Sequence, residues 1–230
     1  MPEDKKLIDF ATDPEQYSAG EATSWIDDEK RQKEQRERFW GAIIKFIPPH
    51  CNSVFDIGCG SGWLAEFLFQ LGVKKYEGIE PSLRNYNIAK EKNSSLQIFC
   101  TSLEDYIPTS SFDCAIAIMM LSHLKDIGKS FQKIHGLLND NGIFIIILSA
   151  FHEEPYRRHR NGRSYDVEVI DEDQYVDRST NGTSYGIADI NRRPEYYIKS
   201  AKKAGFNLLK HEKIEDMGYS PKDLLVFKKS

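Results

Sequence analysis

Three glycines at alternate positions give the sequence its clearest chemical signal. Gly58, Gly60 and Gly62 stand between an apolar run that ends at Ile57 and a helix-like run that begins at Trp63. Glycine tolerates positive φ and lets a ligand approach the main chain, while the N-terminus of a helix exposes N–H donors. The loop therefore predicts a binding site for a nucleotide-like ligand at the carboxyl end of a strand.

The spacing of these glycines can be compared with the fingerprints of known nucleotide-binding loops. The dinucleotide fingerprint G-x-G-x-x-G requires its third glycine where this chain has Trp63, and a P-loop requires G-K-[ST] after its second glycine. Because each alternative lacks a required residue, neither a nicotinamide dinucleotide nor a P-loop nucleotide is predicted.

The elements that must position this loop alternate between strands and helices. Apolar, strand-like runs and helix-like runs follow one another from residue 53 to residue 148, and a helix and two strands follow residue 193. Alternation of this kind predicts right-handed crossovers and a doubly wound α/β sheet with helices on both faces.

We expect one folded unit over residues 1–230, made of four parts. Residues 1–49 form a helical cap, in which the charged run 27–38 is interpreted as a solvated helix face. Residues 50–149 form the core that carries the glycine loop, and residues 194–230 add a closing helix and two strands. Residues 150–193 are predicted to be an inserted lid with a β-hairpin, because segments 165–170 and 175–178 alternate and Asn181-Gly182 is a turn signal.

The form Asp-x-Gly-x-Gly-x-Gly at residues 56–62 resembles motif I of the class I S-adenosylmethionine-dependent methyltransferases of the small-molecule type. The resemblance continues in order through residues 76–82, 99–105, 112–123 and 137–147, and covers about residues 50–150. It implies a Rossmann-like sheet of seven strands, mostly parallel with an antiparallel final hairpin. It also implies S-adenosyl-L-methionine as the cofactor.

The resemblance implies a role for each motif. Asp56 would orient the loop and the amino end of the cofactor, and Glu80 would accept from both ribose hydroxyls. The family often has an acidic residue where Ser102 stands, so the serine hydroxyl would replace it beside the adenine. Met119 is expected near the sulfonium, and Met120 in the core. The implied cofactor-binding residues are Asp56, Gly58, Gly60, Gly62, Glu80, Pro81, Ser102, Leu103 and Met119.

Catalytic and substrate-binding residues are less clearly marked. His123 is a candidate base because imidazole titrates near neutral pH, although a histidine that packs beneath the site is the open alternative. Arg157, Arg158 and Arg192 are candidates for binding a carboxylate or phosphate of the substrate, for which the guanidinium fork is suited. The alternative is that the basic and acidic runs of the insertion pair with one another. No metal ligands are predicted.

Composition narrows the class of partner. Lys and Arg number 31 against 35 Asp and Glu, which gives a net charge of -4 and no basic surplus for nucleic acid. The apolar runs are too short to span a membrane, and the 4 cysteines form no C-x-x-C pair, so we expect a cytoplasmic protein with reduced thiols.

The predicted function is methyl transfer to O or N of a small-molecule acceptor. Methylation of RNA or protein, and a non-catalytic cofactor-binding subunit, are the alternatives, and no oligomeric state is predicted.

Overall fold

The computed structural model describes residues 29–151, 159–160, 163–179, 188–216 and 219–230 of the chain. Two sheets are present in this part of the chain, one of seven strands and one of four. Among the helices of these residues, none is both long and apolar enough to cross a membrane.

The main sheet confirms the predicted fold. Its strand order is β10-β11-β5-β4-β1-β2-β3, and β5, β4, β1, β2 and β3 pair in parallel while β11 runs antiparallel to both β5 and β10. The seven strands are β1 (Ser53–Ile57), β2 (Lys75–Ile79), β3 (Gln97–Phe99), β4 (Phe112–Ile118), β5 (Leu138–Leu148), β10 (Phe206–Asp216) and β11 (Tyr219–Lys229).

Within the described residues, five α-helices cover the two faces of this sheet. They are α1 (Glu29–Ile43), α2 (Leu64–Gln70), α3 (Leu83–Lys92), α4 (Ile127–Leu137) and α5 (Pro194–Lys203). Along β5, Phe144 and Ile146 pack toward α4 and α5, while Ile145 and Ile147 belong to the core beneath α1, α2 and α3. Every one of these side chains is buried, so the continuous apolar run of β5 reflects a strand that is covered on both faces.

The sheet reverses its winding at β1, which lies between β2 and β4. In an open α/β sheet the crevice at such a switch point, outside the carboxyl ends of the strands, is where ligands bind. The helix that follows β2 begins there. Ser82 caps α3 by accepting from the N–H of Asn85 at 3.4 Å.

The second sheet is antiparallel, in the order β6-β7-β8-β9, with β6 (His159–Arg160), β7 (Arg163–Asp171), β8 (Gln174–Ser179) and β9 (Ala188–Arg192). The two segments predicted to alternate as strands pair with each other, in a register that joins Val169 to Tyr175. The turn between them is at Glu172 and Asp173, whereas the predicted turn at Asn181-Gly182 lies outside the described residues. Strand β9 lies against the chain that follows β4, and so connects this sheet to the carboxyl edge of the main sheet.

Candidate active site

A cavity of about 220 Å³ opens at the carboxyl ends of β1, β2, β3 and β4. Its walls include residues 58–61 after β1, residues 80–82 after β2, residues 102–104 after β3 and residues 118–120 at the end of β4. Helix α1 contributes a further wall. The loops of four consecutive strands therefore meet at one site, as the sheet topology requires.

The three glycines have different surroundings. At Gly58 an added Cβ would lie 2.9 Å from Cβ of Met120, whereas at Gly60 it would meet no atom within 4 Å. Both residues line the cavity and have positive φ, of 68° and 56°. Gly62 does not line the cavity. An added Cβ there would lie 3.1 Å from side-chain atoms of Ile98 and Leu96, so Gly62 serves the packing of the loop on β3.

Glu80 follows β2 and holds the glycine loop. One carboxylate oxygen accepts from the N–H of Gly60 and the other from the N–H of Ser82, both at 2.9 Å. The side chain is 5% exposed and lines the cavity. Burial raises the pKa of Glu80, and the two backbone hydrogen bonds oppose that shift. The side chain of Asn85 also hydrogen-bonds to this carboxylate. A carboxylate has about four lone-pair positions, so acceptor capacity remains for a ligand donor.

Asp56, at the end of β1, lies deeper in the same wall. Burial raises its pKa from 3.8 to about 7, although the hydroxyl of Tyr76 donates to Oδ2 at 2.8 Å and opposes the shift. The charge of Glu80 contributes to the increase. Burial also raises the pKa of the neighbouring Cys59 well above its usual value, so its thiol is protonated and a poor nucleophile.

The residues after β3 form another wall of the cavity. Ser102 and Leu103 are buried and line it, together with the partly buried Pro81. The hydroxyl of Ser102 donates to Oδ2 of Asp105 at 2.8 Å and accepts from the N–H of Asp105 at 3.1 Å. Its proton is therefore used within the loop, and one lone pair remains for a ligand donor.

Two methionines line the cavity where β4 ends. Met119 has φ of 57°, a left-handed conformation that is uncommon outside glycine, and its N–H donates to the carbonyl of Ile147 at 2.8 Å. Met120 was expected in the core, and it does pack against the core. It also lines the cavity beside Gly58, which was not expected.

His123 lines the cavity from the 3-10 turn Leu121–His123. Its Nδ1 lies 3.1 Å from Oδ1 of Asp189 on β9, and the hydroxyl of Ser122 donates to the same oxygen at 3.0 Å. No motif in the sequence indicated Asp189, because it follows a polar, irregular segment and meets His123 only through the second sheet.

Arg192 does not line the cavity, and its predicted role in substrate binding is corrected. Its side chain is 4% exposed and donates to the carbonyls of Leu121, Leu124 and Lys125, at 3.5, 2.8 and 3.0 Å. Its Nε donates to Gln174 at 3.1 Å. Because these acceptors occupy the guanidinium fork, Arg192 attaches β9 to the chain on either side of His123. Arg157 and Arg158 lie outside the described residues.

Helix α1 covers the cavity, in part with residues of the charged run that was interpreted as a solvated face. Gln32, Gln35, Arg36 and Phe39 all line the site, and Arg36 donates to Oγ of Ser61 in the glycine loop at 3.3 Å. The interpretation of residues 27–38 as solvated is therefore wrong for this side of the helix. The signal was the helical spacing, since Arg36 and Gln32 continue the stripe of Ile43 and Phe39 by steps of three and four residues.

Comparison with known families identifies the family to which the chain belongs. A profile of the methyltransferase domain family matches residues 32–185, which are 154 of the 230 residues. The chain belongs to this methyltransferase domain family. The matched region begins in α1 and includes the glycine loop, Glu80 and the 3-10 turn.

Individual relatives agree with this assignment. A ubiquinone biosynthesis O-methyltransferase from Bradyrhizobium diazoefficiens is 32% identical over 97 residues, which cover 40% of this chain and 38% of that protein. The chain therefore matches well under half the length of this relative.

Solved structures show the same fold. The PH0226 protein from Pyrococcus horikoshii OT3 superposes with a TM-score of 0.69 at 16% identity, covering 89% of this chain and 93% of that one. An S-adenosylmethionine dependent methyltransferase from Mesorhizobium loti gives 0.64 at 16% identity, covering 84% and 98%. At this identity the likeness shows the fold alone.

Proposed function

We propose that the protein is an S-adenosyl-L-methionine-dependent methyltransferase that acts on a small-molecule acceptor. The observation that carries the proposal is the convergence of the glycine loop, the buried carboxylate of Glu80 and His123 on one cavity. Membership of the methyltransferase domain family supports it. The relative from Bradyrhizobium is named for O-methylation, which favours oxygen over nitrogen as the atom methylated.

The residues present fit this cofactor. Glu80 keeps acceptor capacity for a ribose hydroxyl, and an added Cβ at Gly60 would meet no protein atom within 4 Å. Asp56 would face the amino end, and Leu103, Pro81 and the remaining lone pair of Ser102 would face the adenine. Gly58 and Met119 would border the reactive end, while Gly62 supports the loop from behind.

The chain has mainly to position the acceptor. When bound, the cofactor supplies an already activated methyl group. Orientation of two reactants in one cavity can contribute about 7–11 kcal/mol of a barrier, more than a general base adds. Phe39 and Met120 provide apolar walls, and Arg36 provides a cation at the rim beside Ser61. Helix α1 and the 119–124 segment would exclude water from the reacting atoms.

The second sheet is proposed to act as part of a lid within one unit of residues 1–230. Its strand β9 brings Asp189 to His123 and Arg192 to the adjacent carbonyls, so β9 packs against the 3-10 turn that lines the cavity. Arg157 and Arg158 remain proposed contacts for an anionic group on the acceptor.

We further propose a cytoplasmic location, which the four unpaired thiols of the described residues favour, and no role for nucleic acid, consistent with the net charge of -4.

Binding and turnover test the proposal separately. We expect titration calorimetry to show binding of S-adenosylhomocysteine, and formation of that product to be detected when S-adenosylmethionine is supplied with 3,4-dihydroxybenzoate, 4-hydroxybenzoate or glucosamine. Absence of binding at millimolar ligand would reject the cofactor. Binding without product across this panel would favour the non-catalytic subunit, and methylation of tRNA or of a protein instead would replace the small-molecule acceptor.

A further inference from the structure

We propose that Asp105 is a positioning residue that holds the hydroxyl of Ser102 as a hydrogen-bond acceptor, and that this hydroxyl selects a purine with an amino group at C6. The inference rests on the proposed function and extends it, because it assigns a residue and a mechanism to recognition of the adenine ring. Related proteins often have a carboxylate at position 102 itself. Here a carboxylate three residues later acts through the serine.

The order of the cavity walls puts Ser102 beside the purine. The glycine loop follows β1, Glu80 follows β2 and Ser102 follows β3, and these three strands are neighbours in that order. A cofactor with its methionine part at the glycine loop and its ribose at Glu80 therefore extends its base toward the residues after β3. Ser102 lines the cavity there and is 4% exposed.

The hydroxyl of Ser102 has two protein partners within the described part of the chain, and both belong to Asp105. It donates to Oδ2 of Asp105 at 2.8 Å and accepts from the N–H of Asp105 at 3.1 Å. A carboxylate only accepts hydrogen bonds, so the serine is the donor to Oδ2, and a hydroxyl has one proton and two lone pairs. The proton and one lone pair are in use, and the hydroxyl offers a ligand only an acceptor.

The turn that carries both residues is held from two sides. The N–H of Tyr106, a buried core residue, donates to the carbonyl of Ser102 at 3.1 Å, and Nζ of Lys133 on α4 donates to the carbonyl of Glu104 at 2.7 Å. Asp105 is exposed and does not line the cavity. Its carboxylate therefore acts on a ligand only through Ser102.

An acceptor at this position distinguishes two classes of purine. The amino group at C6 of adenine donates hydrogen bonds, whereas a 6-oxo purine has a carbonyl oxygen at C6 and a hydrogen on N1. Opposite that oxygen the hydroxyl would leave two acceptors facing each other, and desolvated groups without partners weaken binding. A serine free to rotate could donate to the carbonyl and so accept either ring. Asp105 removes that freedom.

The contact between Ser102 and Asp105 also closes a turn, and a purely structural role would have a different signature. Loosening the turn would weaken binding of both purines by a similar factor. Loss of selection instead changes the ratio of the two affinities, because the freed hydroxyl gains a partner in one ligand and not in the other.

Titration calorimetry of the full chain measures this ratio with S-adenosylhomocysteine and S-inosylhomocysteine, which has the 6-oxo ring. We expect wild type to bind the adenine ligand about 30-fold more tightly, and D105A to reduce that ratio about tenfold. The control is E91A, which removes an exposed carboxylate on α3 outside the cavity lining and should leave the ratio unchanged.

A double-mutant cycle gives the second readout. S102A alone should reduce the ratio as D105A does, because it removes the acceptor. Since Asp105 acts through the serine hydroxyl, adding D105A to S102A should change the ratio no further. An effect of D105A that is the same with Ser102 and with alanine would show that the carboxylate acts by another route, and would overturn the inference.

The remaining outcomes are also decisive. A wild-type ratio below about threefold overturns the inference even where the variants do not fold, and so does an unchanged ratio in D105A. Failure of wild type to bind S-adenosylhomocysteine rejects the proposed function. Binding of S-adenosylhomocysteine without preference between the two purines rejects only the selection by Ser102 and Asp105.

Discussion

The two sides of the cavity are built in different ways. The proposed cofactor side consists of short turns that follow neighbouring parallel strands, so that Glu80 reaches the N–H of Gly60, 20 residues away, across one strand pairing. The proposed acceptor side joins distant segments. Arg192 reaches the carbonyl of Leu121 across 71 residues, and Ser122 reaches Asp189 across 67.

The difference separates binding from turnover. The proposed cofactor side depends on turns that follow β1, β2 and β4, which are central, largely buried strands of the main sheet. The proposed acceptor side depends on hydrogen bonds between β9 and residues 121–125, and on α1. Substitutions on the first side are expected to change cofactor affinity, and those on the second to change stability or turnover while affinity is kept.

The largest effect is expected from Glu80→Gln. The amide replaces one acceptor oxygen with a donor, and hydrogen bonds to charged groups contribute about 1.5–3 kcal/mol each. We expect affinity for S-adenosylhomocysteine to fall about 100-fold by titration calorimetry. Glu66→Gln, at an exposed carboxylate on α2, is the control and should leave affinity unchanged. A loss below threefold in Glu80→Gln would contradict the assigned role.

Arg192→Lys should have its main effect on stability. A lysine ammonium cannot serve the three carbonyls that the guanidinium fork reaches, and each buried acceptor left unpaired costs about 1–3 kcal/mol. We expect the free energy of unfolding in urea to fall by about 2–3 kcal/mol and cofactor affinity to change less than threefold. Arg193→Lys, at a partly buried neighbour, should cost less. A loss of affinity equal to that of Glu80→Gln would remove the distinction between the two sides.

The pH dependence of stability should report Asp56. Burial raises its pKa in the folded state from 3.8 to about 7. The protonated carboxyl therefore contributes to the free energy of unfolding in full below about pH 4, and this contribution is lost as the pH rises through about 7. In Asp56→Asn the side chain at residue 56 is an amide, which does not titrate. We therefore expect the free energy of unfolding of this variant, relative to wild type, to increase by about 2 kcal/mol between pH 5 and pH 8 without ligand.

Asp113→Asn is the matched control for that titration. Burial acts to raise the pKa of Asp113, but hydrogen bonds from Asn139, Asn52 and Ser53 outweigh it and leave the pKa lowered. Asp113 therefore titrates below this pH range, and its variant should show a constant difference from wild type. A constant difference for Asp56→Asn as well would show that its carboxyl is ionised throughout.

The smallest effects should distinguish two glycines of one loop. Gly60→Ala and Gly62→Ala both place a side chain at positive φ, which costs about 1–2 kcal/mol. The new methyl group enters the cavity at residue 60 and presses on Ile98 and Leu96 at residue 62. We expect calorimetry to show the greater loss of affinity in Gly60→Ala, and thermal unfolding to show the greater loss of stability in Gly62→Ala. The reverse ranking would place Gly62 at the ligand.

Some of the site was predictable because it depends on local sequence. Glycines between a strand and a helix, and an acidic residue at the end of the next strand, occupy positions that the parallel sheet brings together. Arg36 was predictable in principle from its helical spacing to Phe39, but its charge favoured a solvated interpretation. The charge of Arg192 predicted that it binds an anionic group of the substrate. In the structure its guanidinium is buried against main-chain carbonyls and has a structural role.

The sequence by itself determined the doubly wound sheet and the position of the glycine loop and Glu80 at its carboxyl edge, because strand periodicity and short strand-to-helix turns act over a few residues. Only the tertiary structure decided that Asp189 meets His123, that Arg192 joins β9 to the neighbouring turn, and that α1 covers the cavity. Those contacts join residues far apart in the chain, and their formation depends on how whole elements pack rather than on any local pattern.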